Sequence, residues 1–266
     1  MNKFALNHGG GASRSLKAFT LAEVLITLAI IGVVAALTIP SVVTNYKKNE
    51  IETKTKSALS ILSNSLYLAV ADHGPILTWD FGFANTGSSA QNFAEKYIIP
   101  YTKTAKICGT STSSDCIYDI YQLNGEKFDY GFFNNEDFAR FYLVNGTAIT
   151  LSVVGGMTGS NASQIQLFID TNGWKKPNKL GVDVQVLMFN KPSGINKKSN
   201  YRFSFMGTGS PEGNISDNKF GCKHTTTHGS GVYCTSLITV YNGWKIPTKQ
   251  QYVDWGGAPE EYPWNF

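Results

Sequence analysis

Three sets of side chains in this 266-residue sequence have the types and spacing to do chemistry. The densest runs from Asp170-Thr171-Asn172-Gly173 through Pro177-Asn178 to Gly181 and Asp183, with Lys175 and Lys176 inside it. Asp170, Asn172, Asn178 and Asp183 concentrate hard oxygen donors within a turn, and calcium takes roughly 6–8 such oxygens. The same composition also suits an Asx-rich turn between strands, and the two lysines weaken the metal reading. The second set, Cys222-x-His224-x3-His228-x5-Cys234, offers zinc-type ligands, but its spacing matches no common zinc pattern and an oxidised cysteine does not bind zinc. The third is a single acid, Glu23, inside an otherwise apolar run. Catalytic patterns are lacking: there is no G-x-S-x-G, no H-E-x-x-H and no P-loop, and Gly155–Gly159 is Gly-rich without the following Lys. The sequence is therefore not expected to be an enzyme, and it implies no cofactor other than a tentative calcium.

These residues sit in a chain that is 42% apolar and 16% charged, too apolar for disorder and too poor in charge for a coiled coil. The net charge, 23 − 19 = +4, is too small to argue for a nucleic-acid partner. One long apolar run stands out. It extends from Phe19 to Ile39, 39 − 18 = 21 residues, long enough for a helix to span a bilayer. Lys3, Arg14 and Lys17 precede it without any acid, and Lys47, Lys48, Lys54 and Lys56 follow it closely. The run is too long for a secretory h-region of roughly 7–15 residues, and an acid within it is costly.

Lys17-Ala18-Phe19-Thr20-Leu21-Ala22-Glu23-Val24-Leu25 resembles the class III signal of type IV pilins and type II secretion pseudopilins. The resemblance implies cleavage between Ala18 and Phe19 by a prepilin peptidase, then methylation of the new amine. It also implies an assembly role for Glu23, the fifth mature residue (23 − 18 = 5), and a helix kink at Pro40, the twenty-second (40 − 18 = 22). The usual residue before the cut in that family is Gly, where this chain has Ala18. The Asp170–Asp183 stretch is also similar to a segment of some pseudopilins whose neighbouring loops bind calcium.

The elements that must position these residues follow from periodicity. Ile51, Ala58, Leu62, Leu66 and Ala69 form a helical stripe, Glu50/Lys54 and Glu52/Lys56 are favourable i,i+4 pairs, and Gly74-Pro75 stops the helix. From Phe19 to Asp72 is 54 residues, about 80 Å of helix. Asn92–Ile99 suits a short helix ended by Pro100. Asn145-Gly146 between Phe141–Val144 and Thr147–Val153 signals a hairpin, Ile165–Asp170 and Val182–Phe189 suit strands, and Tyr233–Tyr241 suits a late strand. Residues 190–220 suggest a long loop, and Trp255–Phe266 an irregular packed end. Asn172-Gly173-Trp174-Lys175 and Asn242-Gly243-Trp244-Lys245 echo each other as two similar turns. The cysteines allow three pairings; Cys108–Cys116 and Cys222–Cys234, each closing a short polar loop, are preferred.

The expected fold class is thus α+β and pilin-like. It comprises a leader 1–18, a transmembrane and assembly half-helix 19–40, an amphipathic half 41–73, and a mainly antiparallel β head 74–266. The resemblance implies a pilus or secretion-filament subunit. Its partners would be other pilin-like subunits, a prepilin peptidase and a membrane assembly platform. It would sit in the inner membrane with an exported head and become extracellular on assembly. A membrane-anchored adhesin or carbohydrate-binding module, with the helix as a simple anchor, is the alternative.

Overall fold

The structure is a computed structural model that describes residues 19–113, 115–128, 136–155, 157, 159–191, 203–224 and 230–265. Ala18 and His228 lie outside the described residues. The chain divides into two units, Met1–Asn45 and Tyr46–Phe266. Helix α1 runs Leu21–His73, 53 residues, and continues through Pro40.

In the first unit the helix is apolar on every side and its large side chains are exposed, with a mean hydropathy of 2.4 in its most apolar stretch. It is long and apolar enough to cross a membrane. Its few hydroxyls are satisfied internally: Thr27 donates to Val24 O, Thr38 to Val34 O and Ser41 to Thr38 O, each at 2.9 Å. A span without water needs that closure.

In the second unit the helix becomes amphipathic and buries Ile51, Thr55, Ala58, Leu62, Ser65, Leu66 and Ala69, which contain the expected stripe. Gly74 (φ +76°) ends it, donating its N–H to Val70 O at 3.0 Å, an αL cap that only Gly enters at no cost. Helix α2, Gly87–Tyr97, starts earlier than the apolar pattern indicates. A six-stranded antiparallel meander follows in chain order: β1 Thr104–Gly109, β2 Ala139–Leu143, β3 Ala148–Val154, β4 Gln164–Asp170, β5 Val184–Asn190 and β6 Ser204–Phe205. The β2–β3 hairpin turns at Asn145-Gly146, with Gly146 at φ +84° and Tyr142 paired to Ala148.

Strand alternation sends Ile165, Leu167 and Ile169 to one face, where they join Leu62 and Leu66 of α1 and Phe93 of α2. Phe168, Val184 and Val186 point to the other face and meet Phe138 and Leu180. A third cluster gathers Ile51, Val182, Cys222, Cys234, Leu237, Tyr252 and Trp264. It brings the irregular tail inside: Trp264 Nε1 donates to Gly181 O at 2.7 Å and Tyr252 Oη to Cys222 O at 2.9 Å. Glu50 pairs with Lys54 at 2.8 Å as its spacing indicates, whereas Glu52 accepts from Ile246 N at 2.7 Å and so ties the tail to α1.

Two elements differ from expectation. Tyr233–Tyr241 is not a strand: it forms a helical turn, α4 (Cys234–Ser236), running into a π-helical turn, Leu237–Tyr241. Positions Cys234 to Thr239 are all buried, so there is no polar face to alternate against, and a short β-branched apolar run fits helix and strand equally. The expected loop 190–220 contains β6 and helix α3, Pro211–Ser216, capped by Ser210 Oγ accepting from Gly213 N at 3.0 Å. A last helix, α5, spans Lys249–Asp254 behind a Thr248/Gln251 capping box. The echo holds as two turns, each with its Gly at positive φ, but the second follows the π-helical turn rather than a strand.

Candidate functional site

The first candidate site opens α1. Thr20 precedes the first helical residue; its backbone N–H and its hydroxyl both donate to Glu23 Oε2 at 2.9 Å, and Glu23 N donates back to Thr20 Oγ1 at 3.2 Å. This is a reciprocal capping box, in which a carboxylate satisfies helix-start donors that have no intrahelical acceptor. Thr20 was missed as a functional residue, although the T-x-x-E spacing before an apolar run is the signal that finds it. Phe19 is 83% exposed. Glu23, Val24 and Thr27 line a shallow hollow with Phe19.

The second candidate is the β4–β5 connection, where Asp170, Asn172, Asn178 and Asp183 do come together. Asp183 Oδ1 accepts from Lys179 N at 2.7 Å, and its Oδ2 accepts from Asn178 N at 2.9 Å and Asn172 Nδ2 at 3.2 Å. Asp170 Oδ1 accepts from Asn172 N at 3.1 Å. The Asn178 amide turns its nitrogen to Lys175 O at 2.6 Å. Asp183 is thus filled by N–H donors, which a cation would have to displace. Among the described residues no group of three or more His, Cys, Asp or Glu could hold a metal ion. Calcium is not shown at these four residues, and the bonds to Asp183 and from Asn178 are those of an Asx-rich turn.

Burial pushes the Asp170 carboxyl up to about 8, helped by the neighbouring Asp183 charge and opposed by the Asn172 N–H and the Tyr118 hydroxyl. Burial also raises Asp183, against the N–H donors that hold it. Asp170 Oδ2, Thr171 Oγ1 and Asn172 Oδ1 are buried without a hydrogen-bond partner. The residues Thr171, Asn172 and Asp183 line a cleft of about 420 Å³ with Lys47, Glu50, Ile51, Lys54, Lys176 and Pro177.

The cysteines pair as preferred, Cys108 with Cys116 and Cys222 with Cys234, and no free cysteine occurs among the described residues. The zinc reading therefore loses both thiolates.

Residues 41–252 match a family described as a family of unknown function (DUF6613). The chain belongs to that family. Residues 14–39 match the prokaryotic N-terminal methylation motif, which makes residues around Phe19 a class III prepilin-type signal and places the chain among pilin- and pseudopilin-type proteins. No curated protein and no solved structure matches the chain. The long apolar N-terminal helix and the six-stranded antiparallel head give an α+β pilin-like architecture. The signal implies processing by a prepilin peptidase and assembly with other pilin subunits, and with the apolar helix it fits a membrane-anchored structural protein.

Proposed function

We propose that this chain is a subunit of a filament of the type IV pilus or type II secretion class. The observation that carries the reading is the methylation motif over 14–39, with Phe19, Glu23 and Pro40 in register. Prepilin peptidase cuts between Ala18 and Phe19 and the Phe19 amine is methylated. Residues 19–40 hold the subunit in the inner membrane, and residues 41–73 carry the exported head, 74–266. A platform in the membrane lifts subunits into an extracellular filament.

In this reading Glu23 serves assembly. In the free subunit its carboxylate is occupied by Thr20; in the filament it is exchanged to the Phe19 amine of a neighbouring subunit. Opposite charges attract strongly at low dielectric, so the pair neutralises both groups as the subunit leaves the membrane. Pro40 removes one internal hydrogen bond and is the point at which the helix bends. The protein performs no catalytic step.

N-terminal sequencing of the chain co-expressed with a prepilin peptidase tests the processing, with a methylated Phe19 expected. A mature start within the leader, or beyond Val24, would count against it. Glu23→Leu should keep membrane insertion, a folded head and both disulfides, while lowering the fraction recovered in sheared filaments. Equal incorporation of mutant and wild type would remove the assembly role.

A further inference from the structure

Just past Pro40, helix α1 has little intrinsic reason to be a helix. Ser41-Val42-Val43-Thr44-Asn45-Tyr46 are six consecutive residues from the weaker part of the helix-forming scale, three of them β-branched. Ser41, Val42, Val43, Asn45, Tyr46 and Lys47 are exposed, so burial does little to offset that weakness. Pro40 removes one ladder hydrogen bond at the start of the stretch. In water, adding a residue to a helix of such formers changes the free energy very little, and most helical stability in a folded protein comes from packing. Unwinding that starts at Pro40 therefore runs on until a tertiary contact stops it.

The stop is built on one helical face, Lys48, Ile51 and Glu52, spaced i, i+3 and i+4. Lys48 Nζ donates to Tyr262 Oη at 3.0 Å and sits 5.1 Å above the Tyr262 ring, 214 positions along the chain. Glu52 Oε1 accepts from Ile246 N at 2.7 Å, 194 positions along. Ile51 packs in one cluster with Ile246, Tyr252, Tyr262 and Trp264. The C-terminal segment has its own footing in the head: Trp264 is fully buried and donates to Gly181 O at 2.7 Å, and Tyr252 Oη donates to Cys222 O at 2.9 Å. Edge-on ring contacts join Tyr252 to Tyr262 and Tyr262 to Trp264.

Resting on the reading that residues 19–40 span the membrane, we propose that Ile246–Trp264 is a strap that arrests unwinding of α1 at Lys48. Residues 41–47 are then the length of helix that yields when the subunit is pulled, and the helix from Lys48 onward stays with the head. The yielding stretch is 47 − 40 = 7 residues. Each gains about 2 Å on passing from helix to extended chain, about 14 Å in all. A subunit drawn out of a membrane can lengthen by that much without disturbing the packing of the head.

The test is amide hydrogen exchange of the full, unassembled chain in neutral detergent, read as protection factors, which report local opening. Residues 41–47 should be protected at least about tenfold less than 48–56. Lys48→Met/Glu52→Ala should lower protection of 48–56 at least about tenfold, or about 1.4 kcal/mol, and leave strands β3 and β4 unchanged. Glu52→Gln should keep the protection, because its amide oxygen still accepts from Ile246 N. Glu50→Ala, which breaks a pair within α1 alone, should change it less than about twofold. Equal protection across 41–56 in wild type overturns the proposal, as does unchanged protection of 48–56 in Lys48→Met/Glu52→Ala. So does an equal loss in Glu50→Ala, which would mean that the helix holds itself. Should the double variant also open β3 and β4, Glu52→Ala alone is read, and unchanged protection there overturns the strap. The filament reading fails separately, by an unmethylated Phe19 or absence from sheared filaments, since exchange is measured before assembly.

Discussion

Asp170→Asn isolates what burial does to one carboxyl of the β4–β5 connection. Asp170 is 2% exposed, and Asp183, Tyr118 and Tyr142 face it. Its carboxyl is raised from 3.8 to about 8, burial being the larger cause and the Asp183 charge the second. The sign follows from proton binding. Below about pH 4 both folded and unfolded chains hold the proton, so this group adds no pH dependence. Between about 4 and 8 the unfolded chain has ionised and the folded one has not, so stability falls as pH rises and levels off above about 8. The gap is worth at most about 6 kcal/mol, and solvent reaching the site would reduce it. Asparagine keeps an oxygen for the Asn172 N–H and never ionises. Urea unfolding of the head, followed by circular dichroism in neutral detergent from pH 5 to 9, should show wild type losing at least about 2 kcal/mol across that window. Asp170→Asn should lose clearly less than wild type there, the raised Asp183 carboxyl still contributing, and should be more stable than wild type at pH 8. Parallel profiles, or a variant less stable than wild type at pH 8, would refute the reasoning.

The two disulfides close loops of similar length, separations of 8 and 12, so chain entropy alone assigns about 2.5 and about 2.8 kcal/mol. Cys222 and Cys234 are fully buried, however, so Cys222→Ala/Cys234→Ala should cost about 1–2 kcal/mol more than Cys108→Ala/Cys116→Ala in urea titrations; equal costs would reject that difference. Gly181→Ala should destabilise by more than about 3 kcal/mol, because φ is +73° and the new methyl would meet Gly231 O at 2.6 Å and the Cys234 side chain; thermal unfolding measures it. Adding calcium or a chelator should leave the melting temperature of the head unchanged, since Asp183 is already filled by N–H donors; a rise of several degrees with calcium would restore the cage.

Much of this protein is local in origin and so was legible in the sequence. An unbroken apolar run has only one way to close its backbone hydrogen bonds out of water, and that makes the first part of α1 a helix without help from the rest of the chain. The stripe from Ile51 to Ala69 has the helical period, Gly74 has the freedom the cap needs, and Asn145-Gly146 has the turn chemistry of a hairpin. The processing signal is a short pattern of types, legible for the same reason. The capping box at Thr20 and Glu23 was equally local, and its spacing was present to be read.

Other features were decided only when distant segments met. Residues Cys234 to Tyr241 became helical because Cys234 to Thr239 are all buried, with Cys234, Leu237 and Ile238 packed in one cluster with Ile51 of α1 and Tyr252, Tyr262 and Trp264 of the tail, a constraint that intrinsic preference does not carry. Glu52 left its i,i+4 partner for Ile246 N, some 194 residues away. The oxygens of Asp170 to Asp183 have metal-like spacing in one dimension. What they bind depends on where backbone N–H groups point after the connection folds, and those groups reach Asp183 first. The cleft beside the β4–β5 connection likewise belongs to no single segment: residues of α1 and of the connection both line it, and only their packing creates it.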